Sequence, residues 1–455
     1  MADSERVAVS EASGTSTIQT GVRSSPVFSN VLTTIGFVLY CTYLLSGYAN
    51  DWAIRLLGNK AYLSTVTVIL LPFVWLSCGN PLRGLRSRIG IWWVLFLLWL
   101  ILATPFSVWK GGSTKLLLNY VPRFYVCFFY AVSFVTSLRR CRNLMYVNVA
   151  AAVILVLTCI TFGSNGDPGA MDADDNRFRI PQSLFFANSN ELALDLLLGV
   201  TLFAFLFYRP GLGKQILAMA GIVSSMIYAF RTGSRGFLVA ALATFALMLV
   251  VNRSRWKLTA LALLVFGVAA LTLPSDMLHR LFLVTTDSSL TRFKTRADAS
   301  SIQSQVQRQQ LLKQSLYYTW THPLFGVGPD QFAVAANGDA TKAGQRAPWL
   351  GTHNSYTQIS SECGLPALVF YCAVIFLCFR WNHRLYKQSR DRVALKEVAG
   401  LSFCLLTGTM VYAVSTCFFH MAYSQILPML SGFTVALNFA ARNEFPNELG
   451  SLARS

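Results

Sequence analysis

Two arginines four residues apart, Arg231 and Arg235, stand in "RTGSRG" at the mouth of a run that is otherwise nearly all apolar. Guanidinium is planar, permanently charged and matched to two phosphate oxygens at once. If the helix that follows begins early, the i, i+4 spacing projects both side chains from one face, and unpaired N–H groups at the helix N-terminus add a preference for anions. The chemistry this points to is a diphosphate clamp; the plainer reading is snorkelling to, or binding of, anionic headgroups. In "THNSYTQISSECG", His353 brings an imidazole able to take a proton from a hydroxyl near neutral pH, with Asn354 and Tyr356 beside it. Taken alone, His353 reads more readily as a hydrogen-bonded structural residue.

Other residues ask for an explanation. Arg123, in "LNYVPRFYVCFFYAV", is flanked by a proline and set among aromatics, where a buried charge needs a polar cavity or a partner. Asp195 is a candidate mate, and the two would then join spans as an ion pair. Asp172, Asp174 and Asp175 form an acidic loop that could hold a hard cation, although a solvated loop explains them as well. In "FANSNELALDLLLG", Asn188 or Asn190 fits a helix N-cap. "THPLFGVGPDQF" reads as a rigid turn and not as a dinucleotide fingerprint, since no strand precedes it and no third glycine follows. His279 and His322 are weaker proton-transfer candidates than His353, and His383 falls on the opposite side of the membrane.

The elements that must position these residues are helices in a bilayer. Of 455 residues, 54% are hydrophobic and only 13% charged, too little polar surface to cover a soluble core. Apolar runs long enough to cross roughly 30 Å of hydrocarbon recur near 28–47, 60–78, 89–108, 117–137, 144–162, 191–208, 213–230, 233–251, 257–274, 363–380, 397–418 and 422–441. The fold expected is an all-α polytopic membrane protein with about twelve transmembrane helices. A net charge of +18 does not mean nucleic acid here, because Lys and Arg gather in alternate short loops. That bias puts both termini in the cytoplasm and turns Arg179, Arg231 and Arg235 outward. The Ser-, Thr- and Glu-rich stretch 1–27 reads as a disordered cytoplasmic N-terminus with no cleavable signal, and 442–455 as a cytoplasmic tail. The ten cysteines lie mostly inside spans and contain no C-x-x-C pair, so they read as core packing, not as disulfides or metal ligands.

Between spans 28–274 and 363–441 lies one long outward segment, 275–362, and a loop of that length usually carries function. Within it, "SSIQSQVQRQQLLKQSLYYTW" spaces Ile302, Val306, Leu312, Leu316 and Trp320 at helical intervals, which predicts an amphipathic helix at the outer interface. A helix packed on its own soluble neighbours is the alternative. No repeat relates the two halves of the chain, which weighs against a transporter.

Taken in order, "RTGSRG" after a span, "RQQLLKQSLYYTWTHPLFGVGPDQF" in a long outward loop and "THNSYTQISSECGLPALVF" entering the next span resemble the O-antigen ligase and polymerase superfamily. The resemblance covers roughly 180–380. It implies a membrane glycosyltransferase of the GT-C type at the periplasmic face of a bacterial inner membrane, with undecaprenyl-diphosphate-linked O-antigen as donor. The ligase branch transfers the glycan to a sugar hydroxyl of lipid A-core, inverting and without metal or cofactor. Carried over by motif, Arg231 and Arg235 would hold the diphosphate, Arg308 would approach it from the loop helix, and His353 would activate the acceptor hydroxyl. Arg123, Arg179, Asn188, Asn354 and Tyr356 are candidate substrate contacts. An O-antigen polymerase and a protein O-oligosaccharyltransferase use the same donor and are the nearest alternatives. A lipid-glycan flippase would instead line several midplane positions with charge, whereas the unusual residues here gather on one face.

Overall fold

The computed structural model describes residues 26–58, 62–78, 80–165, 177–181, 183, 186, 188–252, 255–272, 296–345 and 349–450. In chain order the helices are α1 (Pro26–Leu57), α2 (Leu63–Ser77), α3 (Arg88–Ala103), α4 (Lys110–Cys127), α5 (Phe129–Phe134), α6 (Leu138–Phe162), α7 (Ser189–Ala204), α8 (Leu212–Arg231) and α9 (Arg235–Val251). They continue as α10 (Arg255–Thr272), α11 (Arg296–Thr321), α12 (Phe332–Lys342), α13 (Ser355–Ser389), α14 (Lys396–Ser415), α15 (Ile426–Glu444) and the short α16 (Pro446–Leu449). Strands β1 (Ser164–Asn165) and β2 (Phe178–Arg179) form a small antiparallel ladder, so the fold is helical with one minimal exception.

Each expected span falls on one or more of these helices, but the length criterion is stricter. Among the described residues, eight helical stretches are long and apolar enough to cross a bilayer, while α2 and α9 are apolar but shorter. Helix α15 falls outside the eight; Asn438, Arg442 and Glu444 lie within it. The chain is therefore a multi-pass membrane protein, with eight candidate spans among the described residues. Its outer faces fit that setting: Phe73, Leu118, Leu242 and Phe376 are each at least 60% exposed, an apolar surface that lipid, not water, accommodates.

Helix α14 is the most enclosed of these spans, with 83% of its apolar window buried. Helices α7, α9, α13 and α15 pack around it. Burial on every side explains why its apolar residues follow no single stripe. Polar pairs cross the interior where lipid offers no alternative partner: Tyr371 Oη lies 2.7 Å from Tyr412 Oη, Trp93 Nε1 donates to Ser431 Oγ at 2.9 Å, and Asn382 Nδ2 donates to Thr434 Oγ1 at 2.8 Å. All ten cysteines are free, and seven of them are buried.

The long loop is fastened to the bundle at a break in α13. Gly364 leaves helical geometry at φ 83°, and Pro366 follows two residues later. The break releases carbonyls, and the turn "HPLFGVG" supplies their donors. Val327 N donates to Ser361 O and Gly328 N to Glu362 O, both at 2.9 Å, while Leu365 N donates back to Pro323 O at 2.8 Å. Trp99 Nε1 closes the set on Cys363 O at 3.0 Å, and Phe325 stacks between Trp99 and Phe106. The glycines are required by closeness as much as by φ: a Cβ on Gly364 would lie 1.9 Å from Leu324 O, and one on Gly326 2.2 Å from the Glu362 carbonyl carbon. The turn expected from sequence is thus the latch that carries α11, whose Thr319 Oγ1 meets Ser360 Oγ at 2.7 Å.

Helix α11 turns Leu311, Ser315, Tyr318 and Thr319 inward and leaves Val306, Leu312, Leu316 and Trp320 at least 39% exposed. The apolar positions picked out by helical spacing among these residues therefore share one exposed face of the helix. The side chain of Ile302, the N-terminal stretch 1–25, His279 and the Asp172, Asp174 and Asp175 loop lie outside the described residues.

Gly364→Ala is expected to cost about 1–3 kcal/mol or more, because an L side chain has neither the φ nor the space. Thermal unfolding in detergent together with limited proteolysis within 296–345 checks this. A variant as stable and as protease-resistant as the parent would contradict the latch.

Candidate functional site

"RTGSRG" folds as a helix end, a turn and a helix start. Arg231 is the last residue of α8, Gly233 takes φ 62° in the turn, and Ser234 caps α9 by accepting from Phe237 N. Arg235 is then the first residue of α9, and Gly236 lets the helix start approach Phe418, whose Cβ would be 2.7 Å from a Cβ placed there. The two arginines are consequently not on one helix face, which corrects the i, i+4 expectation. Arg231 lies over the rings of Phe178 (4.7 Å) and Tyr228 (5.6 Å), and its Nη2 donates to Asn165 Oδ1 at 3.4 Å.

Arg235 instead faces a cavity of about 350 Å³ whose wall also includes Arg177, Arg308, Gln305, His353 and Cys417. The arginines reach it from separate elements. Arg308 comes from α11, held overhead by the latch. Arg177, next to β2, is fixed by its Nε donating to Thr232 O and its Nη2 to Asn190 Oδ1, both at 2.8 Å. Arg235 Nη1 donates to Gln305 Oε1 at 3.4 Å, joining α9 to α11. Among the described residues no carboxylate lines the cavity, and its guanidinium groups are donors of the kind that oxyanions accept from.

His353 occupies the wall facing these cations with an uncommon φ of 51°. Its neighbours hold that conformation: Thr352 Oγ1 donates to Asn354 O at 2.9 Å, and Asn354 Oδ1 caps α13 by accepting from Tyr356 N and Thr357 N. Burial holds the imidazole down at about 4, and His420 and Arg308 push the same way. It is neutral at pH 7 and able to accept a proton. The His420 ring packs edge-on at 5.2 Å and is itself held below the usual histidine value by burial.

The structure thus brings Arg235, Arg308, His353 and Asn354 of the expected residues to one cavity and leaves others apart. Arg231 does not line it. Arg123 is exposed on α4, near Tyr43 and Cys127, and forms no ion pair with Asp195 among the described residues, which corrects the buried-charge expectation. Asp195 lies near Tyr48 and Glu191 instead. Arg179 sits in β2 opposite Ser164. Asn188 is the α7 N-cap, accepting from Asn190 N. Tyr356 donates its hydroxyl to Ala413 O at 2.8 Å and packs on Tyr371, away from the cavity. His322, paired with Thr321 Oγ1 at 2.9 Å, is not in the wall either.

Sequence reasoning missed Arg177 and His420. "NRFR" offers two cations flanking one aromatic, and what sets Arg177 apart is its bonding to Thr232 O and Asn190 Oδ1, residues distant in sequence. His420, in "CFFHMAY", lies in the connection that shares an end of the bundle with the His353 segment, and that placement was the available signal.

No match was found among curated proteins. Residues 219–372 match the family described as O-antigen ligase, a span that runs from within α8 through "RTGSRG", α11, the latch and the His353 segment into α13. The chain thus carries, over residues 219–372, a domain similar to that family, which covers both ligases and polymerases.

Proposed function

We propose that the chain transfers glycan from undecaprenyl diphosphate to a sugar hydroxyl of lipid A-core at the periplasmic face of a bacterial inner membrane, as a ligase. The observation that carries this reading is the convergence of Arg177, Arg235 and Arg308 with a neutral His353 around one cavity. A sugar on a lipid diphosphate already has a good leaving group. What remains is to stabilise the charge that grows on the bridging oxygen and to remove one proton from the acceptor. The guanidinium groups serve the first need. His353 serves the second, taking the hydroxyl proton as the acceptor oxygen bonds to the anomeric carbon and the C–O bond to phosphate breaks.

Attack opposite the leaving diphosphate inverts the anomeric centre in one displacement, with no covalent carboxylate required. The distribution of Lys and Arg among the short loops supports an outward cavity and cytoplasmic termini. Arginines that neutralise diphosphate directly support a reaction independent of divalent ions.

In a reconstituted assay with lipid-linked glycan and lipid A-core, turnover is expected to persist in strong chelator. Loss on chelation would return attention to Asp172, Asp174 and Asp175. Offered both acceptors, the enzyme should glycosylate lipid A-core; extension of lipid-linked glycan instead would make it a polymerase. Arg235→Lys keeps the charge but not the bidentate fork, and kcat should drop about 10²- to 10³-fold. Near-normal turnover would count against the clamp.

His353→Ala should retain donor binding and lose about 10²- to 10⁴-fold in kcat. Because the free-enzyme imidazole titrates at about 4 and not 6.5, kcat/KM should stay flat as pH falls from 8 to about 5 and decline only below. Bound diphosphate favours the imidazolium, so the acid limb of kcat should lie at higher pH than that of kcat/KM. An acid limb of kcat/KM near pH 6.5 would contradict this environment for His353.

A further inference from the structure

His353 in the cavity wall packs against a second histidine, His420, which stands behind it and is far away in sequence. His353 precedes α13, and His420 lies between α14 and α15. Their loops are stitched on both sides of the pair. Ser355 N donates to Thr416 O at 2.8 Å, Ser355 Oγ donates to Phe419 O at 2.8 Å, and Met421 N donates to Ser355 Oγ at 2.7 Å. Ala422 N adds a fourth bond, to Gln358 Oε1 at 3.2 Å.

Between these stitches the two rings sit at 80° with centroids 5.2 Å apart. On another side of His420 runs the backbone at Gly351, where a Cβ would come within 2.9 Å of the imidazole. The His420 ring is therefore held in a slot while presenting an edge-to-face contact to His353. Its buried Nδ1 makes no hydrogen bond among the described residues, so hydrogen bonding through that atom does not account for a histidine here.

We propose that His420 is the positioning residue for the base: its fixed ring sets the plane of the His353 imidazole and so aims a proton-accepting nitrogen into the cavity. The inference rests on the assignment of His353 as base. Side-chain rotation about the terminal imidazole torsion is broad when unconstrained, and a misaimed nitrogen loses the near-attack geometry that makes an intramolecular base effective. The titratable and charged groups around His353 are Arg308 from α11, Arg235 from the start of α9, Arg177 across the cavity, and Cys417 and His420 from the α14–α15 connection. His420 and Arg308 both disfavour the imidazolium, so removing the second imidazole has a predictable effect on pH dependence as well as on geometry.

The test compares His420→Ala and His420→Phe with His353→Ala in the reconstituted transfer assay. His420→Ala is expected to lower kcat about 10- to 100-fold with the donor KM within about twofold of the parent. His420→Phe, which keeps a ring in the slot, should recover kcat to within about threefold at pH 7.5 and move the acid limb to higher pH.

Gly351→Ala pushes on the His420 ring from outside the cavity. It should lower kcat alone and have no further effect in the His420→Ala background. Parent-like kcat and pH profile in His420→Ala would overturn the positioning role. So would equal impairment of the Ala and Phe variants with a raised donor KM, or additive effects of the Gly351 and His420 changes. If His353→Ala itself retains turnover, the base assignment fails; if it is inactive while His420→Ala is parent-like, only the positioning inference fails.

Discussion

The arrangement depends on backbone hydrogen bonds made across a broken helix. Where α13 leaves helical geometry at Gly364, its carbonyls need donors, and the turn at Pro323–Gly328 provides them in a dry setting where an unpaired carbonyl is costly. This exchange fixes α11 over the bundle and therefore fixes where Arg308 reaches. It also sets the start of α13, and with it the Asn354 cap and the strained backbone of His353. Residues from α7, α9, α11 and the connecting segments at 177, 233–234, 352–354 and 417–418 can then share one cavity although none of those elements spans it alone.

The electrostatics follow from the same geometry. The frame brings guanidinium groups from separate elements to one wall, where their like charges add to the local positive potential. Neighbouring cations and burial together hold the imidazole neutral, the state a base must have before it reacts. On the proposed reading, a bound diphosphate would neutralise the arginines and make the protonated imidazole easier to form, which would couple donor binding to base strength through charge.

Much of this was legible in the sequence for identifiable reasons. Long apolar runs announced the helices, and "GVG" announced a tight turn, because glycine at such density has few other uses. Arg235, Arg308 and His353, which the motifs single out, line one cavity. Arg231 was misplaced because its direction depends on a helix boundary: three residues of turn separate two helices instead of forming one. Arg123 looked buried among aromatics, yet its rotation about α4 leaves it exposed, and sequence periodicity alone does not fix that rotation in an apolar stretch. Arg177 and His420 depend on pairings between distant segments, which no local pattern encodes.

The central claim is that one diphosphate is held between Arg177, Arg235 and Arg308 with His353 on the opposite side of the anomeric carbon. A cryo-electron microscopy structure with a non-transferable lipid-diphosphate sugar tests it most directly. The account predicts phosphate oxygens within hydrogen-bond distance of those guanidinium groups and the His353 imidazole facing the acceptor side of the sugar. A diphosphate bound instead beside Arg231 or Arg123, with the cavity empty, would contradict it.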